Sequence, residues 1–106
     1  MRPIHVARLD KPRPVLVLTR SVALDRMRNV TVAPITSTVR GLSTEVPVGP
    51  NHGLDHEGVV SLDNVRTIPV EDLGRQIGWL HDVDEVALAR AIILAYDLDI
   101  PLPARG

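Results

Sequence analysis

Hydrophobic and polar positions along this chain fall into short blocks of strand-like pattern, followed by one block of helical period. Ile4 to Leu9 reads as a first strand, and Asp10-Lys11-Pro12 as a short turn. Arg13-Pro14 leads into Val15-Leu16-Val17-Leu18-Thr19, a continuous apolar run of the kind expected of a strand buried on both faces. A residue before proline is driven to extended backbone, so Arg13 is held at the mouth of a rigid strand. Ser21 is placed to cap a short helical turn over Val22 to Met27. Asn29 to Ile35 alternates and is rich in β-branched residues, which suits a pleated, half-buried strand. Its Pro34 comes late, where a strand bends or sits at an edge. Thr44 to Val48, Val59 to Asp63 and Arg75 to Leu80 read as further strands, with Asn64 to Pro69 also extended. Between them lie a loop, Gly49 to Gly58, and one helical turn, Val70 to Leu73, stopped by Gly74.

The last block predicts a helix. Asp82 with Glu85 three residues later is an N-terminal capping pattern. Val83, Val86, Ala87, Ala91, Leu94 and Ala95 form one apolar face, which Leu88, Ile92 and Ile93 widen beyond what a single sheet contact needs. The surplus suits a second packing surface such as a dimer partner. The alternative is that Asp97-Leu98-Asp99-Ile100-Pro101 folds back and covers it. Short strands, tight turns and one C-terminal helix predict a mainly β, strongly bent antiparallel sheet, closer to a compact barrel than to an open sheet. With 106 residues, a single domain over 1–106 is expected.

Composition narrows the chemistry. There is no cysteine, which removes disulfides and thiolate metal sites and is compatible with a reducing cytoplasm. No run is long and apolar enough to span a membrane, and the start, Met1-Arg2-Pro3-Ile4-His5, has no apolar signal region. The net charge of −1 hides an asymmetry: residues 1–40 carry eight cations against two acids (+6), and residues 41–106 four against eleven (−7). Eleven of the twelve cations are arginine, whose planar fork suits phosphate. Either the basic half forms a face for an anionic partner, or its arginines are dispersed and solvated. Phe is absent and there is one Trp and one Tyr, so an aromatic base-stacking platform is excluded.

Thr36, Ser37 and Thr38, followed by Arg40 and Gly41, end the Asn29 strand in hydroxyls and a guanidinium. The cluster fits a phosphate-facing surface, and it also fits ordinary strand and turn formers. His52 and His56 are four apart, but Gly53 and Gly58 argue against the helix that would make them a metal pair. No phosphate-cradling glycine loop and no nucleophile elbow is present. Arg13, Thr36, Ser37, Ser61, Asp63 and Arg66 remain, at predicted strand ends. Such a set can support metal-free RNA cleavage, in which the ribose 2′-OH attacks the adjacent phosphorus. Arginine is a poor general base, with a pKa above about 12, so Asp63 is the better proton acceptor if burial raises its pKa.

Three motifs, in order, carry a resemblance: Arg13-Pro14-Val15-Leu16-Val17-Leu18-Thr19, Val32-Ala33-Pro34-Ile35-Thr36-Ser37, and Val59-Val60-Ser61-Leu62-Asp63-Asn64-Val65-Arg66-Thr67-Ile68. They resemble the MazF/PemK toxins of type II toxin–antitoxin systems, most of all the short actinobacterial members, over nearly the whole chain. The resemblance implies an SH3-like, partly closed barrel of MazF/PemK/CcdB type, acting as a homodimer. It implies a metal- and ribosome-independent, cytoplasmic endoribonuclease that cuts single-stranded RNA to 2′,3′-cyclic phosphate and 5′-hydroxyl ends, with no cofactor. The implied partner is a MazE-type antitoxin whose disordered C-terminal segment lies over the RNA groove. By motif position, Arg13, Thr36 and Asp63 match the catalytic residues; Ser37, Thr38, Arg40, Ser61, Asn64 and Arg66 are expected RNA contacts. Ser61 stands where PemK-like members carry an arginine, which leaves the second proton-transfer group open. The first loop, Leu9-Asp10-Lys11-Pro12, is shorter than in most members, which implies a more open groove and tolerance of structured RNA such as ribosomal or transfer RNA. A different class, the CcdB-like gyrase poisons of the same fold, does not need the Arg13 and Thr36 pair, and Leu102-Pro103-Ala104-Arg105-Gly106 does not look like their C-terminus. A third reading is an inactive binding domain of the same fold, which would keep these motifs.

Overall fold

A computed structural model describes residues 1–104. Seven strands, β1 (Arg2–Arg8), β2 (Pro12–Val17), β3 (Asn29–Thr36), β4 (Glu45–Val48), β5 (Gly58–Ser61), β6 (Arg66–Pro69) and β7 (Leu73–Leu80), precede one α-helix, α1 (Glu85–Ala95). Every strand pairing is antiparallel, and the sheet runs β4-β5-β3-β2-β1-β7 with β6 also on β3. This is the mainly β, curled sheet with a C-terminal helix that the pattern of the chain predicts. No helix among the described residues is long and apolar enough to cross a membrane.

β3 is the hub. β2 pairs along one edge, at Val32 to Pro34. The other edge is shared: β6 takes Asn29 to Val32 and β5 takes Ile35 and Thr36. A 3-10 turn, Leu62–Asn64, separates the two strands that share that edge. The sheet therefore folds away from itself halfway along β3, and two cores form. Leu16, Ala33, Ile35, Val60 and Leu62 pack with Leu88 and Ala91 of α1 on one side. Val15, Val17, Val30, Val32 and Ile68 make the other, with Leu24 and Leu73 at its margin. Val15, Leu16 and Val17 are all buried and divide between the two, so the expected burial of β2 on both faces is observed.

Local elements depart from the sequence pattern in four places. The turn after β2 is a 3-10 helix that starts at Ser21 itself, with Arg20 at its cap and no side-chain capping bond. Gly74 lies inside β7 rather than stopping a helix; a Cβ there would sit 2.7 Å from the Val6 carbonyl oxygen, so the strand pair needs glycine at this crossing. Asp82 and Glu85 do not form the cap. Asp84 Oδ2 instead accepts from the His81 N–H at 3.3 Å, while Glu85 pairs with Arg2 at 2.6 Å. The predicted apolar face of α1 is also turned: Leu88, Ala91 and Ile93 face inward, whereas Val83 and Leu94 are exposed. The chain pattern was ambiguous here because apolar residues occupy well over half of the helix circumference.

The C-terminal tail returns toward the helix without covering that outer face. Asp97 adopts φ 52, Leu98 N–H bonds the Ile93 carbonyl at 2.9 Å, and Arg90 Nη1 donates to the Pro103 carbonyl at 2.7 Å. Val83 remains 85% exposed and Leu94 41%.

Loop Gly49 to Gly58 is clamped to β7 by glycine backbones. Gly53 has φ +90, and a Cβ at Gly78 would lie 1.8 Å from the His52 carbonyl oxygen. Gly78→Ala is expected to destabilise the protein by about 2 kcal/mol or more, because both chains at the contact are backbone and cannot yield. Gly41→Ala, at φ +75 with nothing within 4 Å, should cost only about 1 kcal/mol for the left-handed backbone. Urea unfolding of both variants checks the difference.

Candidate active site

Extending the β2–β3 register outward from Val15 opposite Pro34 brings Arg13 and Thr36 to the same end of the sheet. Both residues, with Ile35 between them, line two adjacent clefts, and so stand on the ridge that separates them. The first cleft, of about 500 Å³, is walled by Lys11, Ser37 and Thr38, the loop Gly53 to Gly58, and Arg75 of β7. The second, of about 450 Å³, is walled by Leu9, Asp10, Asp63, Asn64 and Arg66.

Thr36 is the last residue of β3. Its Oγ1 accepts the Thr38 N–H at 3.1 Å. The hydroxyl proton therefore stays available to an acceptor outside the protein. Gly58 makes this end possible, because a Cβ there would fall 2.5 Å from the Thr36 carbonyl oxygen. The β5 backbone can then press directly on the strand end.

Arg13 is held by Asp10 in the hairpin turn, Nε to Oδ1 at 2.8 Å and Nη2 to Oδ2 at 3.1 Å. Two of the five guanidinium N–H groups are used; three remain to face an anion. Arg13, chiefly through its hydrogen bonds and then through its charge, holds the Asp10 carboxyl well below the usual carboxylate range. Asp10 stays ionised and orients its partner. The short first loop puts a carboxylate three residues before Arg13.

The other expected site residues divide. Ser37 and Thr38 line the first cleft, and Asp63, Asn64 and Arg66 the second. Ser61 is buried in β5, its Oγ accepting from Asn64 Nδ2 at 2.7 Å, and it lines neither cleft. Its link to the second cleft is this bond to Asn64. Arg40 is exposed on the loop after β3, its backbone N–H bonded to Glu45 Oε2 at 3.2 Å, and lines neither cleft. Asp63 lies in the 3-10 turn after β5 rather than at a strand end, is exposed rather than buried, and accepts the Thr44 hydroxyl at 2.6 Å. Lys11 and Arg75 line the first cleft without having been expected at the site. Arg75 carries no signal in its own segment, since an outward polar residue on a strand is the default.

His52 and His56 separate completely. His56 is exposed on the cleft wall, whereas His52 is buried behind it. His52 Nδ1 accepts the Gly49 N–H at 3.1 Å, so the ring proton sits on Nε2 and is donated to Asp84 Oδ2 at 3.0 Å. The ring stacks on His81 with centroids 4.7 Å apart. His52, His81 and Asp84 bring potential ligand atoms within 4.8 Å of one another. A metal on His52 Nε2 would move the ring proton to Nδ1, against the Gly49 N–H. The donor set suits an internal latch: it ties the cleft loop to the start of α1.

The depressed Asp10 carboxyl gives a pH prediction. A group whose pKa is lowered by folding contributes stability above its unfolded value, about 3.9, and loses it as pH falls. Asp10→Asn should therefore lower stability slightly and evenly above about pH 5, with the difference from the parent protein shrinking steadily below about pH 4 and still present in part at about pH 2. Because the pair is exposed, the effect should shrink as salt is added. Urea titrations at several pH values and two ionic strengths test both statements.

Comparison with known proteins places this geometry. The family described as PemK-like, MazF-like toxin of type II toxin–antitoxin system matches residues 4–96. Endoribonuclease MazF3 of Mycobacterium tuberculosis (strain H37Rv) is 65% identical over 99 residues, covering 93% of this chain and 96% of that protein. The solved structure of Mycobacterium tuberculosis toxin MazF-mt6 superposes with a TM-score of 0.92 at 64% identity, over 93% of this chain and 100% of that one. An endoribonuclease in complex with its cognate antitoxin from a mycobacterial species shares the fold, with a TM-score of 0.83 at 24% identity over 93% of this chain and 95% of that one.

Proposed function

The chain belongs to the PemK-like, MazF-like toxin family of type II toxin–antitoxin systems, and from that premise we propose that it is a sequence-specific endoribonuclease whose centre is the Arg13–Thr36 ridge. The observation that carries the reading is that ridge itself. A guanidinium with three free N–H groups and a hydroxyl with a free proton stand together between two clefts. A phosphodiester laid across them would have its flanking nucleotides in separate clefts. Arg13 and Thr36 then stabilise the charge that builds on the phosphoryl oxygens as the ribose 2′-oxygen attacks phosphorus. The products are a 2′,3′-cyclic phosphate and a 5′-hydroxyl. These protein groups suffice for the charge-stabilising role, so the reaction needs neither a metal nor the ribosome.

Asn64 and Arg66 from the second cleft, and Ser37 and Thr38 from the first, are RNA contacts in this reading. Asp63, held by Thr44 on the wall of the second cleft, is the proton acceptor by position; it is exposed, so burial does not contribute to that role. The short turn Leu9 to Lys11 leaves the groove wide enough for structured RNA, including ribosomal and transfer RNA. The toxin acts in the cytoplasm as a homodimer. Exposed Leu94 on α1 and Val83 in the turn just before it supply apolar surface for that association. A MazE-type antitoxin silences it by laying a disordered segment across the clefts.

The test uses pure protein, EDTA and total RNA, with new 5′ ends mapped and their chemistry identified. Cuts at one short sequence leaving 5′-hydroxyls support the reading. No cleavage by a folded protein overturns it and directs attention to a supercoiling assay for gyrase poisoning. Arg13→Ala should lower the rate by about 10²–10³, as loss of a charge-stabilising donor does elsewhere. Thr36→Ala should be similar or milder. A double variant no worse than the more damaged single one would show that the pair acts as a unit.

A further inference from the structure

Cleavage at the ridge moves two protons. The 2′-hydroxyl loses one as its oxygen bonds to phosphorus, and the 5′-oxygen gains one as its bond to phosphorus breaks. The reaction needs a group that can still give a proton at neutral pH. An exposed carboxyl is ordinarily ionised at neutral pH, so the carboxylates at the clefts are poorly suited. Asp10 is fixed as an anion by Arg13. Glu57 leans against the Gly49 backbone, its Oε2 within 2.4 Å of where a Cβ at Gly49 would lie. Asp63 accepts a hydroxyl proton from Thr44. Arginine holds its protons too firmly to serve as a general acid.

Among the described residues lining the two clefts, His56 is the one imidazole, and it shares the first cleft with Arg13 and Thr36. Imidazole is the side chain whose ordinary titration range spans neutrality, so it can donate in one step and be restored by solvent. The wall that carries His56 is not a loose loop. The Gly53–Gly78 backbone contact and the His52–Asp84 latch fix its N-terminal half, and β5 pairing at Gly58 fixes its end.

We propose that His56 is a catalytic residue, the general acid that protonates the departing 5′-oxygen. The proposal rests on the ribonuclease reading above. The 2′-hydroxyl proton passes to Asp63 in the opposite cleft, the P–O2′ bond forms, the P–O5′ bond breaks, and the imidazolium proton goes to O5′. The bookkeeping is closed, with no co-reactant. The charged groups facing His56 are Asp55 and Glu57 on its own loop, Lys11 and Arg13 from the first hairpin, and Arg75 of β7.

The experiment uses a short single-stranded RNA containing the sequence cut by the parent protein. A second version carries sulfur in place of the bridging 5′-oxygen at the scissile phosphate, a leaving group that needs no acid. His56→Gln and His56→Ala are compared with the parent from pH 5 to 9, with thermal melts confirming the fold. The variants should lose about 10²–10⁴ in kcat on the all-oxygen RNA, with KM changed only a few-fold. They should also lose the alkaline fall of the pH profile, because the acid must be protonated to act. On the sulfur substrate they should recover to within about tenfold of the parent, the residual left when only the acid step has been bypassed. Parent-like cleavage of the all-oxygen RNA by the variants overturns the proposal. So does a loss that sulfur does not relieve, which would give His56 a binding role instead. A parent protein that cuts no RNA overturns the ribonuclease reading first, and this assignment with it.

Discussion

The division of one edge of β3 between two partners governs this molecule. A strand bonded along its whole length to a single neighbour would belong to a flat ribbon. Here β6 takes the first half and β5 the second, with the turn Leu62–Asn64 between them. The sheet must bend where the partner changes, and the bend produces two cores instead of one. It also delivers the end of β3, Thr36, to a point where β2 and the first hairpin can meet it from one side and the Asp63 turn from the other. The site is a by-product of how the sheet closes.

Electrostatics then sharpen what topology has assembled. The basic N-terminal and acidic C-terminal halves of the chain meet at several points. Arg2 is drawn to Glu85 across the closure of β1 onto α1, and Arg13 is taken by Asp10 within its own hairpin. Cations and acids mix in both clefts. On the proposed reading, such a groove would grip phosphate at a few defined points rather than by overall field. Arg13 is the best-prepared of those points, because the neighbouring carboxylate has already fixed its plane.

Much of the fold was legible in the chain because its strands carry strong local signals. Val15-Leu16-Val17 reads as buried on both faces and is so, each face serving a different core. Arg13 and Thr36 stand in motifs whose spacing survives into the structure as a shared ridge. Legibility failed where the deciding contacts are distant in sequence. The inward face of α1 was misjudged because its apolar residues nearly encircle it, and only packing against Leu16 and Leu62 selects Leu88 and Ala91. The cap was misassigned because Asp84 reaches back to His81, while Glu85 is claimed by Arg2, more than eighty residues away. Arg75 at the cleft was invisible for a similar reason: a strand residue becomes part of a site only when another loop arrives beside it. His52 and His56 show the same limit from the opposite direction. Four residues apart in one loop, they end on different sides of the wall, one as mortar and one as surface.

The two clefts that meet at the ridge are built from unrelated parts of the chain. The first is a glycine-pinned loop against β7; the second is the turn joining β5 to β6. On the proposed reading, a polymer with direction would not lie across such a site equally well both ways, so the asymmetry would give the bound strand a polarity. It would also make recognition modular. Changes in the loop would alter what is accepted on one side of the cut while the turn kept its preference on the other. A lineage carrying many copies of this scaffold could diversify their targets one side at a time, without disturbing the pair of residues at the centre.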